Sequence, residues 1–347
     1  MLSRNIGVKI EKGEINFIKS LDYILKEVDI LCGNLESPIS DTAPKIGIFR
    51  APKKSIEIIK PFKLLNLANN HIYDSGSEGI RDTMYLLEEY KILNVGIGTT
   101  FSQAYRPACI EMKGQKVAFF GCVTPEIFRC IKKSNGEYYI ATLGNYLEIA
   151  VEEMKSKVDF IIVLVHGGNE FIPFPPPSLK VNLENLILKG ADLIVTHHPH
   201  VLGGYQIIKR DGGEKLIWYS LGDFIFDSFV KKRRETGILT VRINKKLINS
   251  FDFIPFYRNE NYQLEVPNYK ASQSILEKIK FVSNILNYKH YEKIYIKLYI
   301  KEFVNFQWEK LYAIQKKEGY IYLVYFIFRK FKYALHFLRK FLAGEYK

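Results

Sequence analysis

Two runs constrain this chain's fold more than anything else in it. Residues 160–165 (FIIVLV) and 193–195 (LIV) are wholly apolar and show no alternation of polar and apolar positions. Strands that read this way are buried on both faces. The runs at 28–31, 62–67, 117–121 and 216–220 also predict strands. Helical stretches lie between them. Residues 77–93 predict a helix with Ser77 as N-cap and Ile80, Met84 and Leu87 along one face, and 151–157 and 181–189 predict two more. Strands alternating with helices predict a layered α/β domain.

The residues at the strand ends matter as much as the strands. Glu36, Asn70 with His71, His166, and His198 with His200 all lie just past the carboxyl end of an apolar run. In open α/β sheets ligands bind in the crevice at those ends. Singly, each is ordinary: a Glu after a strand is usually a turn residue, and a lone His is usually a satisfied loop histidine. Their recurrence at successive strand ends points to one shared site. In GADLIVTHHPH (190–200), three of the chain's seven histidines fall within four positions, and neutral imidazole is a ready metal ligand. A carboxylate, an amide and imidazoles suit Mn, Fe(II) or Zn. Sulfur plays no part, because Cys32, Cys109, Cys122 and Cys130 show no paired spacing.

The charge is uneven. Lys and Arg number 50 against 37 acidic residues, a formal +13, yet 16 of those basic residues and only eight acidic ones lie from 259 onward. Near residue 256 strand patterns give way to Tyr-, Lys- and Ile-rich helical ones, with 275–315 helix-like. The expected division is therefore 1–256, an α/β domain, and 257–347, a basic helical extension. Within the extension, YIYLVYFIF (320–328) is apolar over nine residues, too short to span a bilayer, which takes about 20. Two readings stand for 320–347: a helix buried against the domain, or an interfacial helix whose Lys and Arg face anionic lipid. No nucleic-acid recognition module accompanies the basic residues, so nucleic acid is not an expected partner. The amino end has no apolar signal segment and the cysteines look reduced, so the expected location is cytoplasmic, peripheral to the inner face of the membrane.

Six segments in order, GNLESPIS (33–40), FRAPKKS (49–55), LANNHIYDSGSEGIRDT (67–83), HGGNEF (166–171), GADLIVTHHPHVL (190–202) and YSLGDFIFD (219–227), together resemble the motif set of the CapA, or poly-gamma-glutamate capsule biosynthesis, family. That family resembles the calcineurin-like metallophosphoesterases, so the resemblance implies a metallophosphoesterase-like layered sandwich with a helical C-terminal extension. It covers residues 1–227 and does not reach the last third.

Carried over by position, the resemblance implies that His166, His198, His200 and Asn70 are metal ligands. Glu36 is the implied carboxylate, with Asn34 as the alternative. His71 would protonate the leaving oxygen, and Arg50 would meet an anionic substrate, a phosphoester or a polymer-related group. Asp74 would orient the Asn-His loop, and Asp223, where the family usually has Asn, would stand behind a ligand. Two divalent ions are implied, with phosphoester hydrolysis in capsule or surface-polymer production as the activity. The alternative is a catalytically impaired assembly or binding component at the membrane surface. Two departures accompany the match. The family's opening strand, ending in Gly-Asp, would fall before Met1-Leu2-Ser3-Arg4, and Gln206 stands where a Glu often follows His-Pro-His.

Overall fold

The computed structural model describes residues 1–15, 21–129, 131, 137–228, 231–309 and 311–312. The chain forms two compact units, Met1–Leu298 and Tyr299–Lys347. The predicted ligands all belong to the first. In the second, the described residues 299–309 are helical; the 320–347 segment with its two readings lies outside the described residues.

The strands in chain order are β1 (Cys32–Asn34), β2 (Leu64–Asn66), β3 (Leu93–Val95), β4 (Ile97–Gly98), β5 (Ala108–Met112), β6 (Gln115–Val123), β7 (Tyr139–Ile140), β8 (Phe160–His166), β9 (Leu193–His197), β10 (Tyr205–Arg210), β11 (Gly213–Tyr219), β12 (Glu235–Asn244), β13 (Leu247–Arg258) and β14 (Leu264–Glu265). The apolar runs fall where expected in β6, β8, β9 and β11. The 28–31 run instead precedes β1, and the helix Gly76–Glu89 has Ser75 at its cap position in place of Ser77.

The largest sheet has the order β10-β11-β9-β8-β6-β5. Its four central strands are parallel, and an antiparallel strand closes each side. Buried on both faces, β8 and β9 carry the unbroken apolar runs seen in the sequence. The registers Val123↔His166↔His197 and Thr196↔Tyr219 align the carboxyl ends along one edge. A second sheet, β1-β2-β3, is wholly parallel. It packs on the first so closely that a Cβ on Gly121 of β6 would lie 2.3 Å from Asn66 Oδ1 of β2. Only glycine fits there. Leu64, Val95, Phe119, Phe160, Leu164 and Leu193 fill the space between these sheets. The structure is therefore an α/β layered sandwich, and both parallel sheets aim their carboxyl ends at one cleft.

The compositional change near Phe256 does not mark a boundary in the fold: β13 runs through it, and the first unit continues to Leu298. The reason is packing. The helix Tyr269–Leu286, capped by Asn268, buries Ile275 and Ile279 against Trp218 of β11 and Phe253 of β13. Trp218 in turn stacks on Phe253 and on Tyr205, with ring centroids 5.2 and 5.3 Å apart. A basic helix can dock on a core through one apolar face while its charges stay in water.

Candidate metal centre

Each sequence-predicted ligand leaves a strand and enters a loop tied to its neighbours. Leu35 N–H donates to Asn66 O at 3.0 Å, carrying the β1–β2 ladder one residue further and turning Glu36 into the cleft. Asn69 holds the next loop: its Nδ2 donates to Leu35 O at 2.8 Å, and its Oδ1 accepts from His71 N–H at 3.1 Å. His198 and His200 sit at φ 102° and 59°. Both values lie in backbone territory that non-glycine residues seldom occupy and that clusters at functional sites.

The side chains converge on His166 Nε2. Asn70 Oδ1 lies 2.8 Å from it, His198 Nδ1 3.2 Å and Glu36 Oε1 3.6 Å. Glu36 Oε1 is also 3.8 Å from His200 Nε2, and it is buried with no hydrogen-bond partner among the described residues. One proton at most can sit on His166 Nε2, so it cannot satisfy three acceptors at once. A cation at the centre satisfies them together. Glu36, His166 and His198 each offer a ligand atom within 4.8 Å of the others, and so do Glu170, His198 and His200. The two triads share His198. The donor set, carboxylates, imidazoles and an amide, fits a borderline divalent metal.

Electrostatics prepare the same outcome. Burial, reinforced by the neighbouring histidines, holds His166 well below its ordinary pKa, and burial does the same to His198. Neutral imidazole is the ligating form. For His200 burial also favours the neutral ring, but the Asp223 and Glu36 carboxylates outweigh it and raise the pKa. His200 Nδ1 lies 2.7 Å from Asp223 Oδ1. A carboxylate partner there makes Nδ1 the N–H donor and leaves Nε2 facing the cleft. Asp223 itself is buried, which would raise its pKa, yet His200 and Arg233 pull it below the usual carboxylate value.

His71 stands beside this group. Its Nδ1 lies 2.9 Å from Asp74 Oδ2, and its ring meets Phe49 edge-on at 4.3 Å. Asp74 Oδ2 also accepts from Ile48 and Phe49 N–H at 2.9 and 2.8 Å, so one carboxylate fixes both the histidine and the loop before Arg50. The Arg50 guanidinium donates to Ala43 O; this backbone carbonyl is the partner the structure gives it. Gln206 belongs to the sheet, donating to Glu184 Oε1 at 2.7 Å and accepting from Tyr219 OH at 3.1 Å.

Several residues of the site were not legible in the sequence. Glu170 lies four positions past the end of β8, in the same loop that follows His166 and within the HGGNEF segment, which assigned it no role. Asn69 reads as the duplicate of Asn70. Phe171 and Phe226 flank His200, at 6.1 and 4.6 Å between ring centroids; both fall within the HGGNEF and YSLGDFIFD segments, which gave them no role of their own. The cleft opens into a cavity of about 1010 Å³ bordered by β1 and β12, each at the end of its sheet's strand order. Cys32, Phe119, Leu193, Leu239 and Phe251 line it, and Glu36, His198 and His200 stand on its wall. The Met1 amino group, at the same wall, donates to Ile225 O at 2.8 Å.

Known proteins share this chain's features. The capsule biosynthesis protein CapA of Bacillus anthracis is 26% identical over 269 residues, covering 74% of this chain and 64% of that protein. The PGA biosynthesis protein CapA of Bacillus subtilis (strain 168) is 26% identical over 253 residues, covering 71% and 66%. The chain thus spans just under two thirds of the length of these relatives. Among solved structures, the NAD nucleotidase of Haemophilus influenzae aligns at TM-score 0.44 and 16% identity, covering 82% of this chain and 59% of that one. A 5'-nucleotidase precursor from Thermus thermophilus aligns at TM-score 0.42 and 16% identity, covering 66% and 44%. The family model described as "Bacterial capsule synthesis protein PGA_cap" matches residues 1–228, well over half of the chain, and the chain belongs to that family.

Proposed function

We propose that this chain is a metal-dependent phosphoester hydrolase acting in the production of a capsule or surface polymer of the poly-gamma-glutamate type. The observation that carries the reading is the convergence of Glu36, Asn70 and His198 on His166 Nε2, with Glu36 Oε1 buried and unpaired among the described residues. Glu36, Asn70, His166 and His198 would hold one divalent ion, and Glu170, His198 and His200 a second. Ions bound there supply positive charge to phosphoryl oxygens and make hydroxide available near neutral pH. The chain's own residues supply the rest. Asp223 holds the His200 ring in one tautomer. Asp74, against His71 Nδ1, orients that ring, so that in its imidazolium form Nε2 would hand its proton to the leaving oxygen and Nδ1–H would stay on Asp74. Arg50 contributes a planar cation suited to an anionic substrate, phosphate or carboxylate. The relatives' names, capsule and PGA biosynthesis, support the polymer context. No helix among the described residues is long and apolar enough to cross a membrane, and we place the chain on the cytoplasmic side, peripheral to the inner membrane face through 320–347.

The test is elemental analysis of gently purified protein together with turnover of an aryl phosphate and a phosphodiester with Mn(II) supplied. The expected result is bound divalent metal in the parent, its loss in His198→Ala, and slow metal-dependent cleavage by the parent alone. Negligible metal in both proteins refutes the reading.

A further inference from the structure

The residue with the most unexplained structure around the site is Arg233. It is 9% exposed and lies in the short 3-10 turn Lys231–Arg234 that leads into β12. Its Nε donates to Asp223 Oδ2 at 2.9 Å, and its Nη2 is 2.9 Å from the same oxygen. The other oxygen, Oδ1, is left to His200 Nδ1. Its guanidinium carbon lies 4.4 Å from the centre of the Phe226 ring and 4.9 Å from that of Phe171. These are the two rings that flank His200. The cation and the imidazole therefore share both an aromatic clamp and a carboxylate.

We infer that Arg233 is a positioning residue for the metal centre, fixing His200 through Asp223. The aspartate carboxyl plane turns about a broad torsion, and burial alone does not fix it. Arg233 Nε donates to Oδ2 with Nη2 close beside it, so the plane is held with the other oxygen toward His200 Nδ1 and with His200 Nε2 toward Glu36. Lysine could supply the charge but not the flat face that lies against two phenyl rings. The turn is itself anchored. The Arg258 side chain, at the end of β13 and 0% exposed, donates to the backbone carbonyl of Arg233 at 3.1 Å. A line of contacts thus runs from β13 through the 3-10 turn to a ligand on the β9 loop. These elements are far apart in sequence, and no motif links them.

The inference rests on the metal reading above, and the experiment separates the two. Mn(II) dissociation constants are measured by calorimetry on metal-stripped full-length protein for the parent, Arg233→Gln, Arg233→Ala, Asp223→Ala and the Asp223→Ala/Arg233→Gln double variant, with urea midpoints recorded for each. Loss of a partner behind a ligand weakens metal binding about 10- to 100-fold, which is the expectation for Asp223→Ala; the single Arg233 variants, acting through Asp223, are expected to weaken binding at least about threefold and by no more than Asp223→Ala does. In the Asp223→Ala background, Arg233→Gln should add less than about twofold, since its effect travels through Asp223. Unchanged affinity in the Arg233 variants, or a full further loss in the double variant, overturns the inference. If Arg233→Ala does not fold, Arg233→Gln decides by the same two criteria. A parent that binds no Mn(II) refutes the metal reading, and with it this one. A parent that binds, with His198→Ala as a non-binding control, isolates the role of Arg233.

Discussion

Acid should destabilise the metal-stripped protein steeply between pH 7.5 and 5.5, and His197 gives a clean measure of why. It ends β9 in register with His166, with its Nδ1 sealed from solvent, and a hydrogen bond to the Val165 backbone raises its pKa by less than burial lowers it. Burial lowers its pKa to about 4, against about 6.5 in an unfolded chain. The folded state therefore binds fewer protons than the unfolded state throughout this window, and stability falls as pH falls. From pH 7.5 to 5.5 an unfolded-state histidine goes from about one tenth to about nine tenths protonated while the folded ring stays neutral, a loss of roughly 1 kcal/mol. His166 and His198, both lowered by burial, act in the same direction. His200 opposes them. Its raised pKa gives stability that is full below about pH 6.5 and lost as pH rises, so it returns part of the loss on acidification. The Asp223 contribution, from a lowered pKa, is lost only below about pH 4. The His197 share alone, roughly 1 kcal/mol, is a measurable part of a typical stability of about 5 to 15 kcal/mol. Urea unfolding of the chelator-treated protein at both pH values measures it, with His197→Asn beside the parent. The variant should lose roughly 1 kcal/mol less than the parent over the same interval. Equal losses in the two proteins, or none in the parent, would refute the reasoning.

Other expectations are as direct. His71→Ala should lower phosphoester turnover about 10²- to 10⁴-fold, the usual contribution of a positioned general acid, with metal content unchanged; equal turnover would remove His71 from the chemistry. In a Cys130→Ser background, a maleimide at pH 7.5 should modify Cys109, which is exposed, and spare Cys32 and Cys122, whose thiols burial pushes up, Cys32 to about 11; peptide mapping reads the pattern. Asp192 and Lys215 form a buried ion pair, each 6% exposed, and Asp192 also accepts from Ile161 N–H at 2.7 Å. Asp192→Ala should therefore destabilise the fold by about 3 to 5 kcal/mol in urea unfolding, because it leaves a buried ammonium unpaired.

The sequence carried the site further than it carried the fold's outline. A parallel strand covered on both faces must be apolar throughout, so β8 and β9 announce themselves, and so do the polar residues at their ends. Glu36, Asn70, His166, His198 and His200 were legible for that reason, and the structure brings all five into one cleft. Arg50 was legible as a motif residue, yet its partner in the fold is the Ala43 carbonyl. The boundary near 256 failed for a different reason. Composition registers the change from strand to basic helix, but docking depends on one apolar stripe, and Ile275 and Ile279 belong to the Trp218 core.

Periodicity and strand ends are written in the chain itself. They specify an α/β class and a set of ligand-type side chains at positions where α/β sheets bind ligands. Which of these side chains share a neighbour is settled by packing alone. Glu170 joins His198 and His200, Asp223 takes His200 on one oxygen and Arg233 on the other, and two phenyl rings close around both. Local pattern reports the environment a residue needs, buried or exposed, helix or strand. It does not report the partner, because contacts between loops from β1, β9, β11 and β12 are set by how sheets stack and how closely Gly121 lets them approach.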